Sequence, residues 1–153
     1  MPDTIPFKDY NENPLSLALK ISYGKFDYFT GGDMTGLQGF GLPFWFDMET
    51  PTAKVVGKVE VLTLNHHGVR DASNDFFSEN SGASSNCSTI MEFERSNHPG
   101  EEVLHRIISP YIYSGRRDIF ATYIHEETSA TYGRWLEENY QAKRGHVVIK
   151  VSM

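Results

Sequence analysis

The chain has 153 residues, enough for one domain of common size with a core able to fold alone. Its apolar and charged fractions, 39% and 22%, are those of an ordinary globular protein, and a net charge of −6 argues against a broadly basic nucleic-acid-binding surface. No stretch approaches the ~20 apolar residues of a bilayer span, the first residues lack an export signal, and the lone Cys87 excludes an internal disulfide and points to a reducing, cytoplasmic setting.

Residues 1–14, with three prolines, read as an irregular lead-in. Leu15 to Ser22 alternates with period two, which predicts a strand with one buried face. Tyr23-Gly24-Lys25 is a tight turn, and Phe26 to Thr30 the returning strand of a hairpin. Residues 34–52 contain Gly36, Gly39 and Gly41 with Phe40, Leu42, Phe44, Trp45 and Phe46, and read as a loop. It is either a lid over the core or the apolar wall of a pocket.

Val59 to Leu64 predicts a short strand, and Ser73 to Phe77 a short helix with Ser73 as its N-cap. Ser81 to Ser85 reads as a polar loop and Thr89 to Phe93 as a strand. From His98-Pro99 to Ile108, two acids precede basic and apolar residues, the order that complements a helix dipole, with a core stripe at 103, 104, 107 and 108. Ile119 to Ile124 predicts a strand, Thr131 to Ala142 a helix with Trp135, Leu136 and Tyr140 on one side, and Val147 to Val151 a closing strand. Strands alternate with helices, so the class is α/β or α+β in a single domain over 1–153.

Two strand ends carry chemistry. Thr30-Gly31-Gly32-Asp33 places a carboxylate at one tip, and His66-His67-Gly68 places imidazoles at another. An Asp oxygen and a His nitrogen converging on one rim suit zinc, which takes both at roughly 2.0–2.2 Å. Each also has a plainer reading: Gly-Gly-Asp is ordinary turn chemistry, and a His pair can cap a turn. Occurring at successive strand ends, they favour a metal site together more than either does alone.

His98 reads first as part of its helix's N-terminal cap and second as a proton donor or phosphate contact. His105 reads as exposed, His125 as solvated beside two acids, and His146 as a turn residue. Cys87 reads as structural, and the pairs Arg116-Arg117 and Lys143-Arg144 as solvated surface. No phosphate-cradling glycine pattern, Cys-x-x-Cys pair or His-Glu-x-x-His helix is present.

Asn13-Pro14-Leu15-Ser16-Leu17, the glycine hairpin, Phe29 to Asp33, and Val59 to Gly68 together resemble the metallo-β-lactamase superfamily. The resemblance is to the hydrolase domain of ComEC-type DNA-uptake proteins and their stand-alone relatives. It extends from about Asn13 to Val151, takes in His98-Pro99 through Val103-Leu104, and is carried most strongly by Leu64-Asn65-His66-His67-Gly68. It implies that Asp33 bridges metals, that His67 ligates one of them with His66 as second choice, and that His98 contacts the scissile group. Asn65 replaces the usual proline and Val69 the usual serine, which removes a hydroxyl able to orient a ligand.

The family's His-x-His-x-Asp-His signature is absent, so the chain looks like the C-terminal half of an αββα sandwich. The implied function is a metal-dependent hydrolase of phosphodiesters or esters, active only when completed. Zinc or another divalent ion such as manganese, dinuclear in a complete site, is its implied cofactor. Its partner is an N-terminal half-domain chain or a second copy, with no membrane involved. The other class of function is a non-catalytic interaction or oligomerisation module. A metal held by His66, His67, His98 and His125 of this chain alone has no support in their spacing.

Overall fold

The computed structural model describes residues 12–38, 42–88, 98–108, 117–142 and 144–152. Its architecture is α/β. Six strands form one sheet in the order β1-β2-β3-β4-β5-β6: Leu19–Tyr23, Phe26–Thr30, Val61–Thr63, Ser85–Ser88, Asp118–Ala121 and Tyr140–Ala142. β1 and β2 are the antiparallel hairpin, and every later pairing is parallel. The helices are α1 (Glu49–Val56), α2 (Asp75–Ser81), α3 (Glu101–Ile108) and α4 (Glu126–Asn139), the last interrupted at Gly133.

The strand register assigns the two faces. Phe29, Leu62, Ile119 and Tyr140 lie on one face and join a buried cluster with Ala53 of α1, Phe77 of α2 and Val103, Leu104 and Ile107 of α3. The Phe29 and Phe77 rings stand 5.4 Å apart in this core. The opposite face carries Leu19, Ile21 and Tyr23, then Phe26 and Tyr28, Val61, Cys87 and Phe120. Over part of it runs the chain from His146 to Lys150, which with Phe26, Val61, Cys87 and Phe120 lines an open pocket of about 420 Å³.

Several expectations are corrected. The first strand begins at Leu19, because Asn13–Leu15 forms a 3-10 turn, and neither of its faces is buried. β1 is an edge strand, and among the described residues no second layer rests on it, so its alternation leaves Leu19, Ile21 and Tyr23 48%, 55% and 51% exposed. The stretch 34–52 is not all loop: Phe44–Phe46 is a 3-10 turn, and α1 starts at Glu49. Phe46 of that stretch is buried while Phe44 is exposed, so the aromatic cluster is split between core and solvent.

Asn74, rather than Ser73, caps α2, its side chain accepting from the Phe77 N–H at 2.8 Å. Ser73 stands at φ +53, outside the cap geometry. α2 runs on through Ser81 and β4 begins at Ser85, so Ser81 to Ser85 is only in part a loop. The β4 sequence has little strand propensity, but its backbone pairs with β3 on one side and β5 on the other, and such pairing overrides propensity.

The C-terminal order also differs. α4 ends at Asn139, Tyr140–Ala142 is the sixth strand, and Val147 to Val151 is in no strand, with Val148 70% exposed. Residues 1–11, Phe40, the predicted strand 89–93, Arg116, Lys143 and the side chains of Ile108, Trp135 and Leu136 lie outside what is described. The predicted α3 is borne out, with Glu101 and Glu102 in its first turn and Val103, Leu104 and Ile107 at 0–1% exposure. Arg117 is not solvated: it is buried and donates to the Ser78 carbonyl at 2.8 Å. Among the described residues no helix is long and apolar enough to cross a membrane.

Candidate metal centre

The carboxyl ends of parallel strands are where open α/β sheets expose their functional rim. β2 and β3 are neighbours there, and their ends continue into Asp33 and His66-His67 respectively. Asp33 Oδ1 stands 3.3 Å from His67 Nε2. The His98 ring centre lies 6.1 Å from that of His67 and 6.5 Å from that of His66. All four residues singled out in the sequence therefore gather at one rim.

The backbone that brings them together is unusual. His66 and His67 have φ of +48° and +58°, and Gly68 follows at +81°. Two successive non-glycine residues in the left-handed region cost on the order of 1–3 kcal/mol each and persist only where neighbours over-determine them. One restraint is the His66 N–H, which donates to the Gly32 carbonyl at 2.8 Å and ties the two strand ends together. On the other strand end, Asp33 N–H donates to Ser16 Oγ at 3.0 Å. A Cβ at Gly31 would collide with the Asn65 side chain, so the first glycine of Gly31-Gly32-Asp33 is required by packing.

The two adjacent imidazoles differ. His66 Nδ1 lies 2.9 Å from Asp71 Oδ1, and its Nε2 lies 3.2 Å from Asn13 Nδ2. With the Asn13 amide donating, the ring carries its proton on Nδ1 and gives it to Asp71, so both nitrogens are engaged within the chain. His67 presents Nε2 to Asp33 Oδ1 of the other strand end. Sequence reasoning assigned no role to Asp71 or Ser16. Ser16 stands in the Asn13-Pro14-Leu15-Ser16-Leu17 motif that carries the resemblance, which gives it no role at the site.

The other described histidines and the cysteine have different surroundings. His105 is exposed beside Glu101, Oε1 at 3.5 Å, on the same helix. His125 is less solvated than its sequence implies: its Nε2 is buried and its ring meets Tyr123 edge-on at 5.1 Å. His146 is exposed at the start of the covering segment. Burial pushes the Cys87 thiol up to about 11, which makes it a poor nucleophile at neutral pH.

Donor chemistry and donor number give different answers on metal fit. Two ligands of one tetrahedral ion at about 2.0–2.1 Å lie roughly 3.3 Å apart, and Asp33 and His67 have that separation. One carboxylate and one imidazole suit zinc or manganese. Among the described residues, however, no group of three or more His, Cys, Asp or Glu side chains is arranged to hold a metal ion. Two donors are fewer than the three protein ligands of a catalytic zinc site. In comparisons with known proteins, no family model matches the chain, and no curated protein is significantly similar to it.

Proposed function

We propose that this chain supplies two ligands, Asp33 and His67, to the divalent-metal site of a hydrolase acting on phosphodiesters or esters, and that a second body supplies the rest. The observation that carries the reading is the 3.3 Å between Asp33 Oδ1 and His67 Nε2, reached from two different strand ends. The resemblance of Asn13–Ser16, Gly32-Asp33 and Asn65–Gly68 to the metallo-β-lactamase superfamily supports it. Bound there, a divalent ion would supply Lewis-acid polarisation of a phosphoryl or carbonyl oxygen. The chain's own contribution is to hold Asp33 and His67 at ligand spacing, and to present the His98 ring beside them as a substrate contact.

A Zn²⁺ titration of the full chain, followed by calorimetry and by the histidine ring resonances, tests the reading. One ion per chain is expected, with the largest shift at His67, and Asp33→Ala or His67→Ala should each weaken binding at least about tenfold. Unmoved His67 resonances at millimolar Zn²⁺ would rule it out.

The second reading, a non-catalytic interaction module, is favoured by a different observation. The sheet face away from the helices leaves Leu19, Ile21 and Tyr23 about half exposed on an edge strand, although mostly parallel sheets are ordinarily covered on both sides. The module reading expects no Zn²⁺ response and an association that Leu19→Lys with Ile21→Lys abolishes.

A further inference from the structure

Hydrogen-bonded to the residue that precedes the His66-His67 turn is a buried carboxyl with no place in the ligand set. Glu49, the first residue of α1, is 0% exposed. Its Oε1 accepts from the Asn65 side-chain amide at 2.7 Å and from the Ser73 N–H at 2.6 Å, and its Oε2 from the Asn74 N–H at 2.7 Å. Asn65 is itself 0% exposed and immediately precedes the two left-handed histidines. A Cβ at Gly36 would collide with the carboxylate, so the chain passes Glu49 as closely as a backbone can.

This is an expensive arrangement. A buried charge is tolerated only where hydrogen bonds compensate for its lost water, and all three donors here come from segments that flank the histidine turn. Asn65 opens the turn, while Ser73 and Asn74 close the loop that begins with it and carries Asp71, the partner of His66. A carboxylate buried in that position fixes both ends of the loop relative to α1.

We propose that Glu49 is the positioning residue of this centre: its buried carboxylate, acting through Asn65 and the Ser73-Asn74 amides, holds the left-handed His66-His67 turn and thereby the Asp33–His67 spacing. The inference rests on reading that pair as metal ligands, but the geometry it predicts exists without metal. Outer partners that orient ligands typically carry 10–100-fold in metal affinity, and Glu49 acts one residue further out, through the backbone that precedes the ligand.

The test uses the full chain in four forms: wild type, Glu49→Gln, Asn65→Ala and Ile107→Ala. Gln keeps one acceptor but turns an NH₂ towards a donor. Asn65→Ala cuts the tie to the turn while leaving Glu49 its two amide partners, so it stands in if the Gln variant fails to fold. Ile107→Ala removes core packing on α3 and controls for lost stability alone. In the zinc-free chains, Glu49→Gln and Asn65→Ala should move the His67 ring resonances, and Ile107→Ala should not. With Zn²⁺ added, the same two variants should bind about tenfold more weakly than the control. A folded Glu49→Gln or Asn65→Ala chain with wild-type His67 resonances overturns the proposal. If wild type binds no Zn²⁺, the ligand reading falls, and the zinc-free resonances still decide whether Glu49 positions the turn.

Discussion

The backbone that carries Asp33 and His67 is tied down by hydrogen bonds around both strand ends. Ser16 fixes the Asp33 amide, the Gly32 carbonyl receives the His66 amide, and Asn65 ties the turn to Glu49. Burial pushes the Glu49 carboxyl up to about 7, against the pull of the Asn74, Asn65 and Ser73 donors, with the Asp47 charge adding to the rise. A carboxyl raised from 4.5 to about 7 stabilises the fold fully below 4.5 and loses that contribution as pH climbs through 7. Urea unfolding at pH 5 and pH 8 should therefore show a fall in stability for wild type that is smaller in Glu49→Gln, whatever the variant's baseline. Equal falls in both would mean that Glu49 titrates as it does in the unfolded chain. Gly36→Ala should displace the same carboxylate and lower stability by roughly 1–3 kcal/mol in a denaturant melt.

The ligand candidates could be picked out from the sequence because their residue types are scarce and their positions, at the ends of apolar runs, are informative. Glu49 could not. It follows Asp47 and Met48 in a stretch rich in glycine and aromatics, and nothing local distinguishes a carboxylate that will be buried from one that will face water. Its donors lie 16 to 25 residues away in sequence and meet it only in the folded chain.

At the level of elements, the sequence predicted best where local pattern and tertiary demand agree. α3 has acids first, bases last and Val103, Leu104 and Ile107 on one stripe, and it is a helix. β4 shows the opposite case: serines, an asparagine and a cysteine become a central strand because both neighbouring strands pair with them. α2 depended on one residue of cap assignment. Ser73 and Asn74 are both good caps, and the choice falls to Asn74 because Ser73 stands in a left-handed conformation outside the cap geometry. Asn74→Ala should cost about 1–2 kcal/mol through the lost cap. A thermal melt checks this, and an unchanged midpoint would show that the cap bond contributes nothing net.

For the whole molecule, the two sides of the sheet are unequal. Among the described residues, one side rests on four helices and contains the core, while the other has one extended segment over part of it. Period-two alternation in Leu15 to Ser22 correctly separates two faces in β1, but it cannot say whether the apolar one finds a partner in the same chain. Leu19→Lys with Ile21→Lys should leave the unfolding free energy within about 0.5 kcal/mol of wild type, as surface substitutions do. The same pair should reduce binding of an apolar dye. A large loss of stability would place those side chains in the core instead.

The solitary thiol sits on that less covered side. Cys87 lines the space beneath residues 146–150 and is only 5% exposed. Its rate of alkylation in the unaltered protein should therefore be slow, and faster in the unfolded chain. A body seated against the same side should slow that modification further, giving a chemical footprint of docking from the one sulfhydryl the chain carries.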